Sequence, residues 1–183
     1  MAITTKAKII NLAEELIRTK GYTAFSYKDI ATVLKVKNAA IHYHFPSKEQ
    51  LGRAVLERTR TQFKEATASW ASLPYLEQLQ RLMNIYKRSH QQQWVCLVGA
   101  LGPAYPALPA SMQVSLTQMT LEIKTWTMAL LEKGKAAQVF DFKESIEEKS
   151  LMIVTALLSS LILSRVMQPN STDIIMGGLL KSI

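Results

Sequence analysis

Residues 26–51 read SYKDIATVLKVKNAAIHYHFPSKEQL, and this stretch decides the fold. Ser26 precedes Tyr27-Lys28-Asp29, a hydroxyl acceptor followed three residues later by an acid, which is a helix-start signal. Ile30, Ala31 and Leu34 then supply the apolar face of a short helix. Lys35-Val36-Lys37 interrupts the spacing and Ile41 and Phe45 resume it. Pro46-Ser47 closes this next helix, with Ser47 capping a longer one that has Glu49 and Gln50 in its first turn. Two short helices around a three- or four-residue turn, beside a longer one, are the parts of a helix-turn-helix. Ala31 is small where the two helices cross, Val36 plugs the turn, and Ile41 anchors the underside. Lys37, Asn38, Ala40 and His44 are then expected to face outward, framed by Lys28 and Lys48, where cations meet phosphates and polar groups meet base edges.

Outward from this stretch the helical spacing continues. Ile9, Leu12, Ala13, Leu16 and Ile17 make one stripe on a helix from about Thr5 to Lys20, with Gly21 as its stop. The helix after Ser47 is expected to run to about Trp70, and Leu73-Pro74 marks the next boundary. Further helices are predicted at about 75–93, 111–133, 144–167 and 171–181, with short, broken helix between Gly99 and Pro109. The run Lys133-Gly134-Lys135 is expected to end the second of these four, cations at the negative helix end and Gly past it. No strand alternation persists. The expected class is all-α: a three-helix head over residues 1–46 and a helical ligand-binding and dimerisation body over residues 47–183, about nine helices in total.

Charge points to the head. The chain has 22 Lys plus Arg and 14 Asp plus Glu, a formal +8. Residues 1–68 hold 12 of the bases and 6 of the acids, so the first third carries three quarters of the excess. A polyanion partner follows, nucleic acid before an anionic membrane surface. With 48% hydrophobic and 20% charged residues the chain is not expected to be disordered. A lone Cys96 excludes an internal disulfide framework and fits a reducing cytosol. The longest apolar stretch, Ser150 to Ser164, falls short of the ~20 residues of a membrane span. The start of the chain lacks the apolar region of a secretory signal. The expectation is a cytoplasmic protein with no membrane partner.

Gly21-Tyr22, Phe25 to Ala31 and Ala40 to Leu51 closely resemble the DNA-binding region of TetR-family repressors, over roughly residues 5–56. The resemblance implies a homodimeric, ligand-responsive regulator of transcription acting on a double-stranded DNA operator and released by a small-molecule effector. By position it implies phosphate contacts from Ser26, Tyr27 and Lys28, and base-facing roles for Lys37, Asn38 and Ala40. It implies phosphate or base-edge contacts from Tyr43 and His44 and a phosphate contact from Lys48, with Phe45 as the apolar pin beneath the head. His42 stands in the same DNA-facing run, where the family more often has Tyr. The turn position often held by Gly is Lys35, where a left-handed backbone would cost ~1 kcal/mol or more. Lys37 replaces the small capping residue. Cys96-Leu97-Val98-Gly99, Leu108-Pro109, Trp126 and Gly134 resemble a subgroup with a cysteine-led ligand-domain segment.

The body offers two further candidate surfaces. Residues 89–121 contain no Asp, Glu, Lys or Arg. With neighbours they supply an apolar and aromatic effector lining: Tyr86, His90, Trp94, Cys96, Tyr105, Met119 and Trp126. The absence of evident cations there argues against a highly charged anionic effector. Cys96 is either a sensor of electrophiles or oxidants or a small buried hydrophobe. Leu151, Val154, Leu158, Leu161, Ile162, Arg165, Ile175 and Leu179 are expected to form the dimer interface as a four-helix contact. His42 and His44 lie two apart on a helix and point ~200° away from each other, so no metal site is expected. No acid–base pair, phosphate loop or nucleophile signature appears, so neither an enzyme nor a cofactor is expected. The remaining rival is a DNA- or membrane-surface-binding protein indifferent to sequence.

Overall fold

The computed structural model describes residues 4–167 and 170–183. Among them are nine α-helices: α1 (Thr5–Lys20), α2 (Tyr27–Leu34), α3 (Asn38–His44), α4 (Lys48–Ser69), α5 (Tyr75–Gln91), α6 (Leu97–Leu101), α7 (Ala110–Ala136), α8 (Ile146–Val166) and α9 (Ser171–Lys181). A short 3-10 segment, Gly102–Ala107, joins α6 to α7. The class is all-α, as the spacing predicts.

Helix starts follow the capping chemistry. Ser26 Oγ accepts from the Asp29 amide while the Asp29 carboxylate accepts from the Ser26 amide, a full capping box. Ser145 and Glu148 repeat it at α8, and Ser47 caps α4 by accepting from the Gln50 amide. Lys37 makes no side-chain cap at α3. Gly21 ends α1 with φ 93° and ψ 160°, a region essentially reserved for glycine.

Three helix ends carry a non-glycine residue with positive φ: Lys35, Gln93 and Gln138, at 54°, 56° and 56°. Each is held by the same pair of backbone bonds. Val36 donates to Ala31 and Lys35 to Thr32; Trp94 donates to Ser89 and Gln93 to His90; Val139 donates to Gly134 and Gln138 to Lys135. These are Schellman ends, whose two amide bonds satisfy terminal carbonyls and offset the ~1–2 kcal/mol of a left-handed L-residue. The expected stop at Gly134 is therefore corrected. Gly134 lies inside α7 and is buried, and a Cβ there would sit 2.1 Å from Phe140 Cδ2. The glycine serves a close approach of the Phe140 ring, and the chain turns three residues later.

Two apolar cores share the body. One joins Ile9, Ile17, Ile30, Ile41 and Phe45 of the head to Leu51, Val55 and Leu56 of α4, and continues into Leu97, Leu101, Met112 and Met119. The other joins Leu79, Leu82 and Tyr86 of α5 to Leu131, Phe140, Ile153, Leu157 and Leu161. Each fully buried Leu or Ile contributes ~1.5–3 kcal/mol. By length and composition α8 could cross a membrane, longer than the apolar run predicts. Here it packs against α5, α6, α7 and α9. Lys149 at its start is 2% exposed, and its ammonium donates to the Ser182 carbonyl (2.5 Å) and lies 3.4 Å from Glu144, tying α8 to the end of α9.

Gly134→Ala tests the close approach. Overpacking against Phe140 costs ~1–3 kcal/mol against a helix-propensity gain of up to about 1. The expected outcome is a lower urea midpoint; an unchanged or higher midpoint would show that Phe140 yields freely.

Candidate nucleic-acid interface and the cavity behind it

The second helix of the motif, α3, buries one side and offers the other. Ile41 is fully buried and Phe45 nearly so, while Lys37, Asn38, His42 and Tyr43 are exposed, Tyr43 at 84%. An aromatic side chain so open on a surface that gathers cations is a feature of a contact surface, since burial of a tyrosine ring is otherwise favourable. The Tyr43 and His44 rings meet edge-to-face at 5.2 Å, and His42 meets Tyr27 at 4.7 Å. His44 is half-buried. Ala40 is half-buried rather than fully outward, and the exposed small residue is Ala39, which sequence reasoning missed. A seven-residue helix without a cap leaves the phase uncertain by one position, so the spacing alone could not separate the two alanines.

Several of the other predicted contacts hold the head together. The Tyr27 hydroxyl donates to the Phe45 carbonyl at 2.8 Å, fastening α2 to the end of α3. Burial, with the nearby Tyr22, pushes the Tyr27 phenol up to about 12. The Lys48 ammonium donates to the Phe25 carbonyl and lies 4.3 Å from the Phe25 ring centre and 4.9 Å from that of Tyr22. Burial lowers its pKa. Lys48 is thus anchored within the head, not held out on its surface. Ser26 is exposed but occupied as a cap, and its bonds hold the Asp29 carboxyl below its usual range. Lys28 is exposed beside them.

Behind the head lies a cavity of about 380 Å³ between α1, α4, α5, α7 and the segment that leads into α6. Of the predicted lining, Tyr86, Trp94, Cys96 and Met119 are brought together there. Three residues are not. His90 Nδ1 lies 3.1 Å from Ser164 Oγ, the Tyr105 hydroxyl pairs with Thr117 at 2.8 Å, and Trp126 stacks edge-on against Phe63 and Trp70. Sequence reasoning missed Arg18 of α1, Phe63 of α4 and Arg88 of α5. The two arginines correct the expectation of a pocket without cations; their positions outside residues 89–121 hid them. Burial pushes the Cys96 thiol up, against smaller opposing effects of the Gly99 amide and Arg18. Cys96 Sγ accepts from that amide at 3.3 Å as the cap of α6.

The last two helices leave apolar groups open. Leu151, Met152, Ile162, Leu163 and Val166 of α8 and Ile174 of α9 are exposed. Val154, Leu158, Ile175 and Leu179 are half-buried. Leu161 is corrected: at 1% exposure it belongs to the protomer's own core. Arg165 is exposed, but its guanidinium donates to the carbonyls of Arg18 (3.1 Å) and Gln93 (2.5 Å) within the same chain. Among the described residues no cluster of His, Cys, Asp or Glu could hold a metal.

Tyr27→Phe removes one half-buried bond, so stability at neutral pH should fall by about 0.5–1.5 kcal/mol in urea denaturation. The raised phenol pKa also makes a signed prediction. Its stabilisation is fully present below the unfolded tyrosine value near ~10 and is lost as pH rises through about 12. The variant should unfold less steeply than the parent across that window, and equal slopes would dismiss the contribution.

Residues 9–55 match the family model for bacterial regulatory proteins of the tetR family. No curated protein matches the chain with significant sequence similarity. A TetR transcriptional regulator from Legionella pneumophila is 30% identical, with a TM-score of 0.86 over 99% of this chain and 96% of that one. A TetR-family regulator from Agrobacterium tumefaciens superposes at 0.91 with 23% identity over 97% and 96%. A transcriptional regulator from Saccharomonospora viridis, solved in complex with choline, superposes at 0.78 with 20% identity over 96% and 93%. With the exposed α3, its buried underside and full-length kinship at this level, the chain belongs to the TetR family of DNA-binding transcriptional regulators.

Proposed function

We propose that the chain is a cytoplasmic homodimeric repressor that binds a roughly palindromic operator and leaves it when a small effector enters the body. The observation that carries this reading is the outward surface of α3, with Lys37, Asn38, His42 and Tyr43 exposed over a buried Ile41 and Phe45. Two such helices on a twofold pair enter major grooves ~34–36 Å apart or multiples of that spacing. Asn38 and Lys37 read base edges, Ala39 or Ala40 meets a thymine methyl, and His44 follows at the far end. Tyr43, Lys28 and Ser26 face phosphates. Lys48 acts through the Phe25 carbonyl it holds, setting the angle of α4 against the head.

The exposed apolar residues of α8 and α9 supply the twofold contact, a Leu151–Ile162 stripe flanked by Ile174. The effector site is the cavity lined by Tyr86, Trp94, Cys96 and Met119. The choline complex of the Saccharomonospora viridis regulator supports a small molecule as occupant of this kind of body. A ligand favouring the non-binding state 100-fold would weaken operator binding through ~2.7 kcal/mol of coupling. A thiol sensor at Cys96 is not favoured, because burial raises the thiol and so withholds the reactive thiolate.

Selection from randomised duplexes, followed by footprinting on the gene's own upstream DNA, tests the reading. A palindromic site preferred by ~10³ or more over bulk duplex is expected, and retention of all sequences alike would overturn it. Asn38→Ala should change the selected base at one position of each half-site. Lys28→Ala should lower the salt slope of binding by about one per head. Leu151→Asp should shift the protein to monomer in sedimentation and weaken operator binding with it; a variant that stays dimeric would move the interface elsewhere.

A further inference from the structure

The cavity behind the head has an asymmetric chemistry. Its apolar wall is Phe63, Leu82, Tyr86, Leu97, Met119 and Ile123, and its two charged residues are Arg18 and Arg88, with no carboxylate among the lining. Arg18 is nearly buried, its Nε bonded to Glu14 at 2.8 Å and its Nη1 donating to the Val95 carbonyl at 3.3 Å. That leaves the rest of its N–H fork unclaimed among the described residues. Its guanidinium also stacks 5.5 Å from the Trp94 ring centre. Glu14 is shared with Arg58, so these three charges sum to one positive. Arg88 adds another and forms no ion pair among the described residues. Tyr86, more than nine-tenths buried, lines the same space with a hydroxyl that has no partner among the described residues. The carbonyls at the end of α5, which would oppose an anion, are taken up by the amides of Gln92, Gln93 and Trp94.

We propose that this cavity takes a small amphipathic carboxylic acid, its carboxylate held by Arg18 and Arg88 and its alkyl or aryl body against the apolar wall. The proposal rests on the effector-responsive reading above and names the ligand class for that site. A planar guanidinium matches a carboxylate by paired N–H donors, and the low-dielectric wall strengthens the bond. A cationic ligand would face two guanidinium groups with no carboxylate in the cavity lining to meet it. The volume, about 380 Å³, is at the small end of the ~300–1,000 Å³ range for ligand cavities, which limits the acid to modest size. Arg18 also gives the ligand its lever. It stands in the last turn of α1, whose residues share one core with α2 and α3, so a carboxylate that competes with Glu14 for Arg18 acts on the helix that carries the head.

The test uses the full chain without DNA, following tryptophan fluorescence and calorimetric heat on titration with octanoate, phenylacetate and naphthoate. Their amides and the corresponding amines are the comparison. The acids should bind about tenfold or more tightly than their amides, the difference a charge-assisted bond makes, and the amines should not bind. Arg88→Gln should erase the preference for acid over amide. Glu14→Gln, which removes the competing carboxylate, should instead raise acid affinity several-fold, an effect loss of packing would not produce. Equal binding of acids and amides, tighter binding of amines, no binding of any acid at millimolar concentration, or an unchanged preference in Arg88→Gln would each overturn the proposal. Since no DNA is present, failure here leaves the operator reading standing, and failure of the duplex selection leaves this titration readable.

Discussion

The end of α1 is where the head is held to the body, and Arg18 is the residue that holds it. Its carbonyl accepts from the Val95 amide at 3.3 Å and from the Arg165 guanidinium at 3.1 Å, while its own side chain reaches Glu14 and the Val95 carbonyl. One residue therefore joins a helix of the head, the segment that leads into α6, and the far end of α8. Gln93, the other acceptor of Arg165, adopts its left-handed backbone at that same junction. If Arg165 were lost, the carbonyls of Arg18 and Gln93 would lose a shared charged donor, and the Val95 amide alone would hold the Arg18 carbonyl. The angle of the head depends on this knot, because α1 presents its other side to α2 and α3.

Residues within the helix-turn-helix divide the labour between building its surface and offering it. The stretch from Ser26 to Lys48 looks uniform as a row of polar and basic residues facing a polyanion. In the folded head they separate into two groups. Tyr27, Lys48 and Ser26 bond to Phe45, Phe25 and Asp29 of their own chain, and these bonds fix where α2, α3 and α4 meet. Lys37, Asn38, His42 and Tyr43 are exposed. The first group builds the surface that the second offers. Rigidity matters here because α3 has only seven residues and no side-chain cap, too short to hold itself in water. Its orientation is imposed by Ile41 and Phe45 below and by the Tyr27 bond at its end.

Much of the fold was legible because local chemistry dictates it. The capping box at Ser26, the cap at Ser47 and the stop at Gly21 all follow from residue types within a few positions of each other. What was not legible depends on contacts far along the chain. Gly134 looks like a helix stop until Phe140 is seen lying against it. Leu161 looks like its neighbours on α8 until the core claims it and leaves Ile162 outside. A helix that is apolar all round gives periodicity nothing to act on, so neither its buried nor its open side could be assigned in advance.

The cavity shows the same limit in electrostatic form. The uncharged run from Ser89 to Leu121 suggests an uncharged pocket, and the inference fails because a cavity wall is contributed by elements distant in sequence. Charges excluded from that run by the cost of burial arrive instead at its edges, on α1 and α5, where Arg18 is partnered and Arg88 reaches solvent. An arginine without its own carboxylate is tolerable at such an edge, since water or an anion can complete it. Arg18 and Arg88 thus stand where an apolar interior meets solvent, the position from which a cation selects the charged end of a ligand while the interior selects its body.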